Sequence, residues 1–391
     1  MKRDAWPYSD AGTACHATVD ENLSSLLDFF RWLSAFVVLL SHSRAIFFVP
    51  WNEVETPGMA ALILYTVSGW GDYGVLVFFA ISGYLIGGGT LEKMRAGRFD
   101  FTNYLIDRVS RIYIVLLPAL LLIWALDSGG LHWLNGSGIY SKGYPIGALP
   151  YDTREVTGVA VFMSNLLLLQ NIATPPFGTA QPLWSLSWEW WSYMVSPFLI
   201  GMLLRLRGPA VVMVVILVGA AMVAAGLGYM LLWHLGILLA MWRITSRTVL
   251  IAGGLLVIAM PLCTRSGLLP VLLPTQAAFL LGFVMLVSQL RYFRLPRWWS
   301  LLPNKWLAGF SYSLYVLHTT ILVFVMACLQ NFAGFPHQMQ PQGGNYLLYA
   351  GFCLSAFAGS YLFASLTEFR TRSLRRWMQD RVRDFSRPGS E

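Results

Sequence analysis

The sequence predicts an all-α fold: a polytopic membrane helix bundle with about ten transmembrane helices and one short re-entrant or interfacial helix. Three observations carry this expectation. Of 391 residues, 56% are hydrophobic and 12% charged, about half the charge of a soluble domain. Apolar runs near the roughly 20 residues needed to cross a bilayer recur along the chain. Lysine and arginine gather in short segments between alternate runs. The net charge of +8 therefore reports membrane topology and gives no reason to expect a nucleic-acid partner. The four cysteines, Cys15, Cys263, Cys328 and Cys353, have neither metal nor redox spacing, and no metal site is expected.

Residues 1–25 are polar and mixed. They lack the apolar stretch and small residues of a cleaved leader, and read as a cytoplasmic tail. Residues 26–366 form the expected membrane domain. Its first span, about 26–48, contains Arg31 and, eleven residues later, His42. Eleven residues make three turns plus about 20°, so the two share a face roughly 16 Å apart along the axis. Asp28 lies one turn before Arg31 and can pair with it. Ionisable groups in such a helix are costly and point to function. Taken alone, each also reads as a snorkelling arginine or an interfacial histidine.

The second span, about 67–89, holds Asp72, Ser82 and glycines that permit close helix approach. The third, about 109–126, is entered through Arg108 and Arg111, an i, i+3 pair on one side of the helix. Two such arginines serve as topological anchors, or their planar donor forks meet phosphate oxygens. Residues 127–156 read as a loop. The apolar piece 157–170 is too short to span comfortably and is the expected re-entrant or interfacial helix.

Later spans are expected at about 183–204, 209–227, 229–243, 248–264, 271–290, 309–330 and 346–366. Residues 367–391 read as a basic cytoplasmic tail. In the span at 183–204, Ser185, Glu189 and Tyr193 share a face. A carboxylate there pairs, binds substrate or relays a proton. In the span at 309–330, Ser311, Tyr315 and His318 share a face. They form either a polar lining or inter-helix hydrogen bonds worth about 0.6 kcal/mol each.

With the amino terminus in the cytoplasm and ten spans, 27 lysines and arginines fall on cytoplasmic segments, save Arg44, Lys142, Arg154 and Arg265. Counting 157–170 as a crossing would invert everything after it and spoil this bias. Both termini are thus expected in the cytoplasm. Arg31, Arg108 and Arg111 fall at the cytoplasmic face, and His42 near the outer face.

These residues resemble the acyltransferase-3 family of integral membrane O-acyltransferases. Arg31 with His42 is similar to its R-x10-H opening, preceded by Leu27-Asp28. Phe78-Phe79-Ala80-Ile81-Ser82-Gly83-Tyr84 resembles its FFxxSG(F/Y) segment, and Arg108-x-x-Arg111 its RxxR motif. Leu183-Trp184-Ser185-Leu186-Ser187-x-Glu189 resembles LWSLSxE, and Ser311 to His318 resembles SYSLYxxH. The matches run in the family's order over about residues 26–366. Phe29 stands where a glycine is usual, and Trp190 where a second acid often follows Glu189. The latter argues against paired-carboxylate chemistry there.

The resemblance implies transfer of an acyl group, commonly acetyl, from cytoplasmic acyl-CoA to a hydroxyl. The acceptor implied is an envelope or exported carbohydrate or a glycolipid, at a bacterial cytoplasmic (inner) membrane. Acyl-CoA enters as donor substrate, and no permanently bound cofactor is expected. A sugar hydroxyl needs a base, and histidine, with an unperturbed pKa near 6.5, suits the task. His42 is the expected general base, with Glu189 orienting it or the acceptor. Arg31, Arg108 and Arg111 would bind the donor's phosphates or orient its arm. Asp28, Asp72, Ser82, Ser185, Tyr315 and His318 would line the passage. Direct transfer is the simpler route, because no nucleophile stands out beside a base.

Two other readings compete. A proton-coupled secondary transporter or glycan flippase could use Asp72, Glu189, His42 and His318 as a relay. Against it, no inverted repeat is visible and the polar groups cluster toward both faces. The second is an acyltransferase acting on a lipid or small molecule.

Overall fold

A computed structural model of the chain describes residues 13–141, 149–206, 208–242, 245–293 and 295–386. Residues 1–12 of the amino-terminal tail, Lys142 and residues 387–391 lie outside the described residues. Among those described, the regular elements are helical and no strand forms. The helices are α1 (Thr13–Phe47), α2 (Met59–Ser68), α3 (Gly71–Ser82), α4 (Gly89–Arg95), α5 (Phe101–Trp133) and α6 (Val159–Leu166). They continue with α7 (Leu183–Arg205), α8 (Pro209–Ala224), α9 (Gly228–Leu235), α10 (Ile237–Met241) and α11 (Arg247–Arg265). The last are α12 (Leu273–Leu290), α13 (Asn304–Ala308), α14 (Ser311–Ala333), α15 (Asn345–Leu366) and α16 (Thr371–Ser386). A π-helical segment, Gly83–Gly88, joins α3 to α4.

Among the described residues, seven helical stretches are long and apolar enough to cross a membrane: Glu21–Phe47, Met59–Arg95, Phe101–Trp133, Arg247–Arg265, Leu273–Leu290, Ser311–Ala333 and Asn345–Asp384. The expected spans at 183–204, 209–227 and 229–243 coincide with α7, α8 and the pair α9–α10, which do not meet that standard. In α7, Glu189 and interspersed serines and tryptophans lower the hydropathy. α8 has only 16 residues, and α9 breaks from α10 at Gly236. Helix α6, at 8 residues, is about 12 Å long and cannot cross.

Several boundaries differ from the expectation. Helix α1 begins at Thr13 rather than near 26. Helix α5 starts at Phe101 because Asp100 caps it, accepting from the Asn103 backbone N–H at 3.1 Å and the Asn103 amide at 2.7 Å. The same bonds hold the Asp100 carboxyl below the usual carboxylate range. At its other end α5 runs on through Asp127 to Trp133, into the expected loop. The basic tail is also helical, as α16.

The chain divides into two compact units. The first comprises Met1–Ser34, Leu76–Glu92 and Val195–Ala308. Here glycines bring backbones together. A Cβ on Gly253 would sit 2.7 Å from the Leu286 nitrogen, and one on Gly282 2.5 Å from the Leu256 Cβ, so α11 and α12 meet almost without side chains between them. The π segment touches the α9–α10 break in the same way. A Cβ on Gly83 would lie 2.1 Å from the Trp233 carbonyl oxygen, and one on Gly236 2.3 Å from that of Ala80. Aromatic edges fill the remainder: Phe30 meets Phe283 edge-on with centroids 5.1 Å apart.

The second unit comprises Ala35–Val75, Lys93–Met194 and Gly309–Glu391. Helix α14 is buried from Ser311 to Thr320 apart from Tyr312, and it packs on α5 and α15. Gly359 lets α15 approach; a Cβ there would be 3.0 Å from the Ile321 Cδ1. Gly71 brings the start of α3 onto Ser41, beside His42, where a Cβ would meet Ser41 at 2.6 Å.

Gly83→Ala should destabilise the protein by about 1–3 kcal/mol, because a backbone carbonyl cannot rotate away from the added methyl. Gly89→Ala, which meets nothing within 4 Å, should cost nothing. Thermal unfolding in detergent compares them, and equal midpoints would refute this packing.

Candidate active site

Helix α14 presents its polar residues along the second unit. At its buried centre, His318 Nδ1 lies 2.8 Å from the Leu314 carbonyl oxygen one turn back. A carbonyl only accepts, so Nδ1 carries the proton. In a neutral ring Nε2 is then an acceptor. That Nε2 lies 2.7 Å from His42 Nδ1, so His42 Nδ1–H donates to it. His42 is left with an Nε2 lone pair that has no hydrogen-bond partner among the described residues. The two rings are 21° from parallel with centroids 5.0 Å apart. His318 is fully buried and His42 half-buried. The pair is thus a directed chain, carbonyl to His318 to His42, ending on a lone pair.

One turn before His318, Tyr315 is hydrogen-bonded through its hydroxyl to Ser185 on α7 at 2.6 Å. Asp72, in the first turn of α3, lies within electrostatic reach of Tyr315. Along α7 the face expected from the sequence is present. Ser185 is followed by Glu189, which accepts from the Tyr193 hydroxyl one turn on. The hydrogen-bond partner of His42 is therefore His318, while Glu189 is tied to Tyr193.

Arg108 and Arg111 project from α5 into different surroundings. The Arg108 guanidinium lies 5.6 Å from the Tyr104 ring centroid and 5.7 Å from that of Tyr193. Those rings are linked, since the Tyr104 hydroxyl donates to the Tyr193 carbonyl at 2.9 Å. Arg111 forms a 3.1 Å ion pair with Glu368 and lies over the Tyr312 ring at 5.6 Å.

The remaining candidates belong to the first unit. Arg31 pairs with Asp28 at 3.8 Å, the contact their spacing suggested. Asp28 also lines a cavity of about 650 Å³ with Glu21, Ser25, Trp299 and Lys305. Ser82 is buried at the end of α3. Among the described residues no three His, Cys, Asp or Glu side chains gather as a metal site needs.

Sequence reasoning passed over two buried carboxylates. Glu368 stands just past the last span, where its only signal is an acid among arginines. Asp127 sits one residue beyond the expected third span. Its Oδ2 accepts from the Thr179 backbone N–H and its Oδ1 from the Thr179 hydroxyl, each at 2.8 Å. Thr179 Oγ1 in turn lies 3.0 Å from Thr320 Oγ1, two residues past His318. Gly178, at φ +56°, makes room: a Cβ there would be 2.1 Å from Asp127 Oδ2. Burial, with the Asp127 charge nearby, holds the Tyr140 hydroxyl well above the usual phenol range.

The profile of the acyltransferase-3 family, described as an acyltransferase domain, matches residues 25–365. No curated protein and no solved structure matches the chain. The chain belongs to the acyltransferase-3 family, and with its membrane-length apolar helices it is a membrane acyltransferase.

Asp127→Ala strands the buried Thr179 N–H and should cost about 1–3 kcal/mol. Asp127→Asn keeps an acceptor oxygen and should lose less. The order of their thermal midpoints tests whether this carboxylate ties the 179 segment to the helices.

Proposed function

We propose that the protein moves an acyl group, acetyl as the leading case, from cytoplasmic acyl-CoA to a hydroxyl of an envelope or exported carbohydrate. It would act in a bacterial inner membrane, crossing it ten times with both termini inside. Helices α7, α8 and α9–α10 would supply the crossings beyond the seven long apolar stretches. The observation that carries the reading is the chain of contacts from the Leu314 carbonyl through His318 to His42 Nδ1, which assigns the basic lone pair to His42 Nε2.

In this mechanism His42 Nε2 takes the proton of the acceptor hydroxyl as its oxygen attacks the thioester carbonyl. A C–O bond forms and the C–S bond breaks. The departing CoA thiolate then takes the proton from Nε2–H. While His42 is cationic, its Nδ1–H points at the His318 lone pair. The positive charge is therefore spread along a chain that ends on a carbonyl dipole. No carboxylate is needed behind the base, which fits Trp190 in place of a second acid. The donor's phosphates belong at the arginine end, where Arg108 offers a guanidinium beside the Tyr104 and Tyr193 rings. Asp72, Ser185 and Tyr315 lie toward the base and suit the acceptor's hydroxyls.

The test is transfer from labelled acetyl-CoA by purified protein in lipid nanodiscs, beside mass spectrometry of cell glycans with and without the gene. His42→Ala should lower transfer by about 10²–10⁴-fold with an unchanged thermal midpoint. His318→Phe keeps the ring volume, removes the acceptor nitrogen, and should lower it by at least about 10²-fold. Normal transfer by His42→Ala would remove the base assignment. Unmodified glycans in both strains would remove the carbohydrate acceptor.

A further inference from the structure

Arg108 and Arg111 sit one turn apart, yet their charges are compensated differently. Glu368 faces Arg111 at 3.1 Å with its own side chain 1% exposed. Its other oxygen, Oε2, accepts from the Ser313 backbone N–H at 2.9 Å and the Ser313 hydroxyl at 2.8 Å. Ser313 is in the first turn of α14, so the carboxylate also caps that helix, where an anion is favoured. The contact with Arg111 is an ion pair only, since Oε1 has no hydrogen-bond partner among the described residues, and Oε2 is the oxygen that ties Glu368 to the scaffold. Removing Arg111 from such a pair leaves the buried Glu368 charge uncompensated.

No comparable partner meets Arg108. It forms a loose ion pair with Asp107, whose Oδ2 is 3.9 Å away and, like Asp28 from Arg31, beyond hydrogen-bond range. Asp107 is itself drawn off by Arg375 of α16 at 3.4 Å. The Arg108 Nε is shielded from water and has no hydrogen-bond partner among the described residues. Arg111 thus faces the buried Glu368 at 3.1 Å and lies within electrostatic reach of Glu189 as well, whereas Arg108 has Asp107 at 3.9 Å, a carboxylate that Arg375 meets more closely. Exposure does not explain the difference, since the Arg111 side chain is 38% exposed and that of Arg108 20%. A phosphate approaching Arg111 meets a charge already cancelled by the carboxylate behind it. One approaching Arg108 meets a guanidinium beside the Tyr104 and Tyr193 rings that makes no hydrogen bond among the described residues, and its planar fork suits phosphate oxygens.

We propose that the two arginines of this motif divide the work. Arg108 binds the donor's phosphates, while Glu368 is a positioning residue that commits Arg111 to the scaffold by joining α5, the start of α14 and the segment after α15. The division rests on the reading that acyl-CoA is the donor.

The experiment measures acetyl-CoA affinity and thermal midpoint together on full-length protein in nanodiscs. Arg108→Met should weaken acetyl-CoA binding at least tenfold and leave the midpoint in place. Arg111→Met strands Glu368 and should lower the midpoint. Adding Glu368→Gln removes the stranded charge and keeps an oxygen for the Ser313 N–H. The double variant Arg111→Met/Glu368→Gln should therefore regain the midpoint and bind acetyl-CoA within threefold of wild type. A double variant that is thermally restored yet binds as weakly as Arg108→Met would overturn the division, because Arg111 would then touch the donor. Tenfold tighter binding by Glu368→Gln alone would overturn it too, by showing Arg111 reachable once released. Failure of the wild type to bind acetyl-CoA would remove the donor assignment and the role of Arg108. The midpoint recovery would still report the Arg111–Glu368 pairing separately.

Discussion

A backbone carbonyl oxygen has lone pairs and no proton to give. His318 Nδ1, 2.8 Å from the Leu314 carbonyl, must therefore supply the hydrogen of that contact, and every later assignment follows from this one. The ring has one N–H when neutral, so its Nε2 can only accept. The neighbouring His42 nitrogen, 2.7 Å away, must then be the protonated one. The reactive lone pair is thereby directed to the far nitrogen of His42. A main-chain atom of a buried helix is the end of the chain, and it cannot change its role with a rotamer.

Helix α14 can hold this arrangement because its polar residues are spaced to meet different neighbours. Ser313 receives Glu368 and, through it, Arg111. Tyr315 meets Ser185, and His318 meets His42. In apolar surroundings each such group needs a partner, since an unpaired one costs free energy comparable to the bond it lacks. The arginine end and the base end of the second unit are thus registered against one helix. Asp127 adds a fixed point just beyond, through Thr179 and Thr320.

Much of this was legible in the sequence, for reasons of spacing. Arg31 and His42 lie on one unbroken helix, and Ser185, Glu189 and Tyr193 follow one face of another, because a helix repeats every 3.6 residues. Sequence could not show that His318 would be the partner of His42. Pairing between distant helices leaves no mark in local periodicity. Glu368 and Asp127 were missed for a related reason: each lies just outside an apolar run, where charged residues are ordinarily solvated. The starts of α1 and α16 were hidden by polar composition, which marks lipid exposure and says little about helicity. The gap between ten expected crossings and seven long apolar stretches falls on helices that are short, broken or loaded with serine and tryptophan.

The most direct test of the account is the protonation state of the two imidazoles, read by ¹⁵N NMR on histidine-labelled protein in lipid at neutral pH. His318→Phe and His42→Ala would assign the signals. The account expects one proton on each ring, on Nδ1 in both, with His42 Nε2 unprotonated. A proton on His42 Nε2, or an imidazolium shared between the rings in the resting protein, would contradict it.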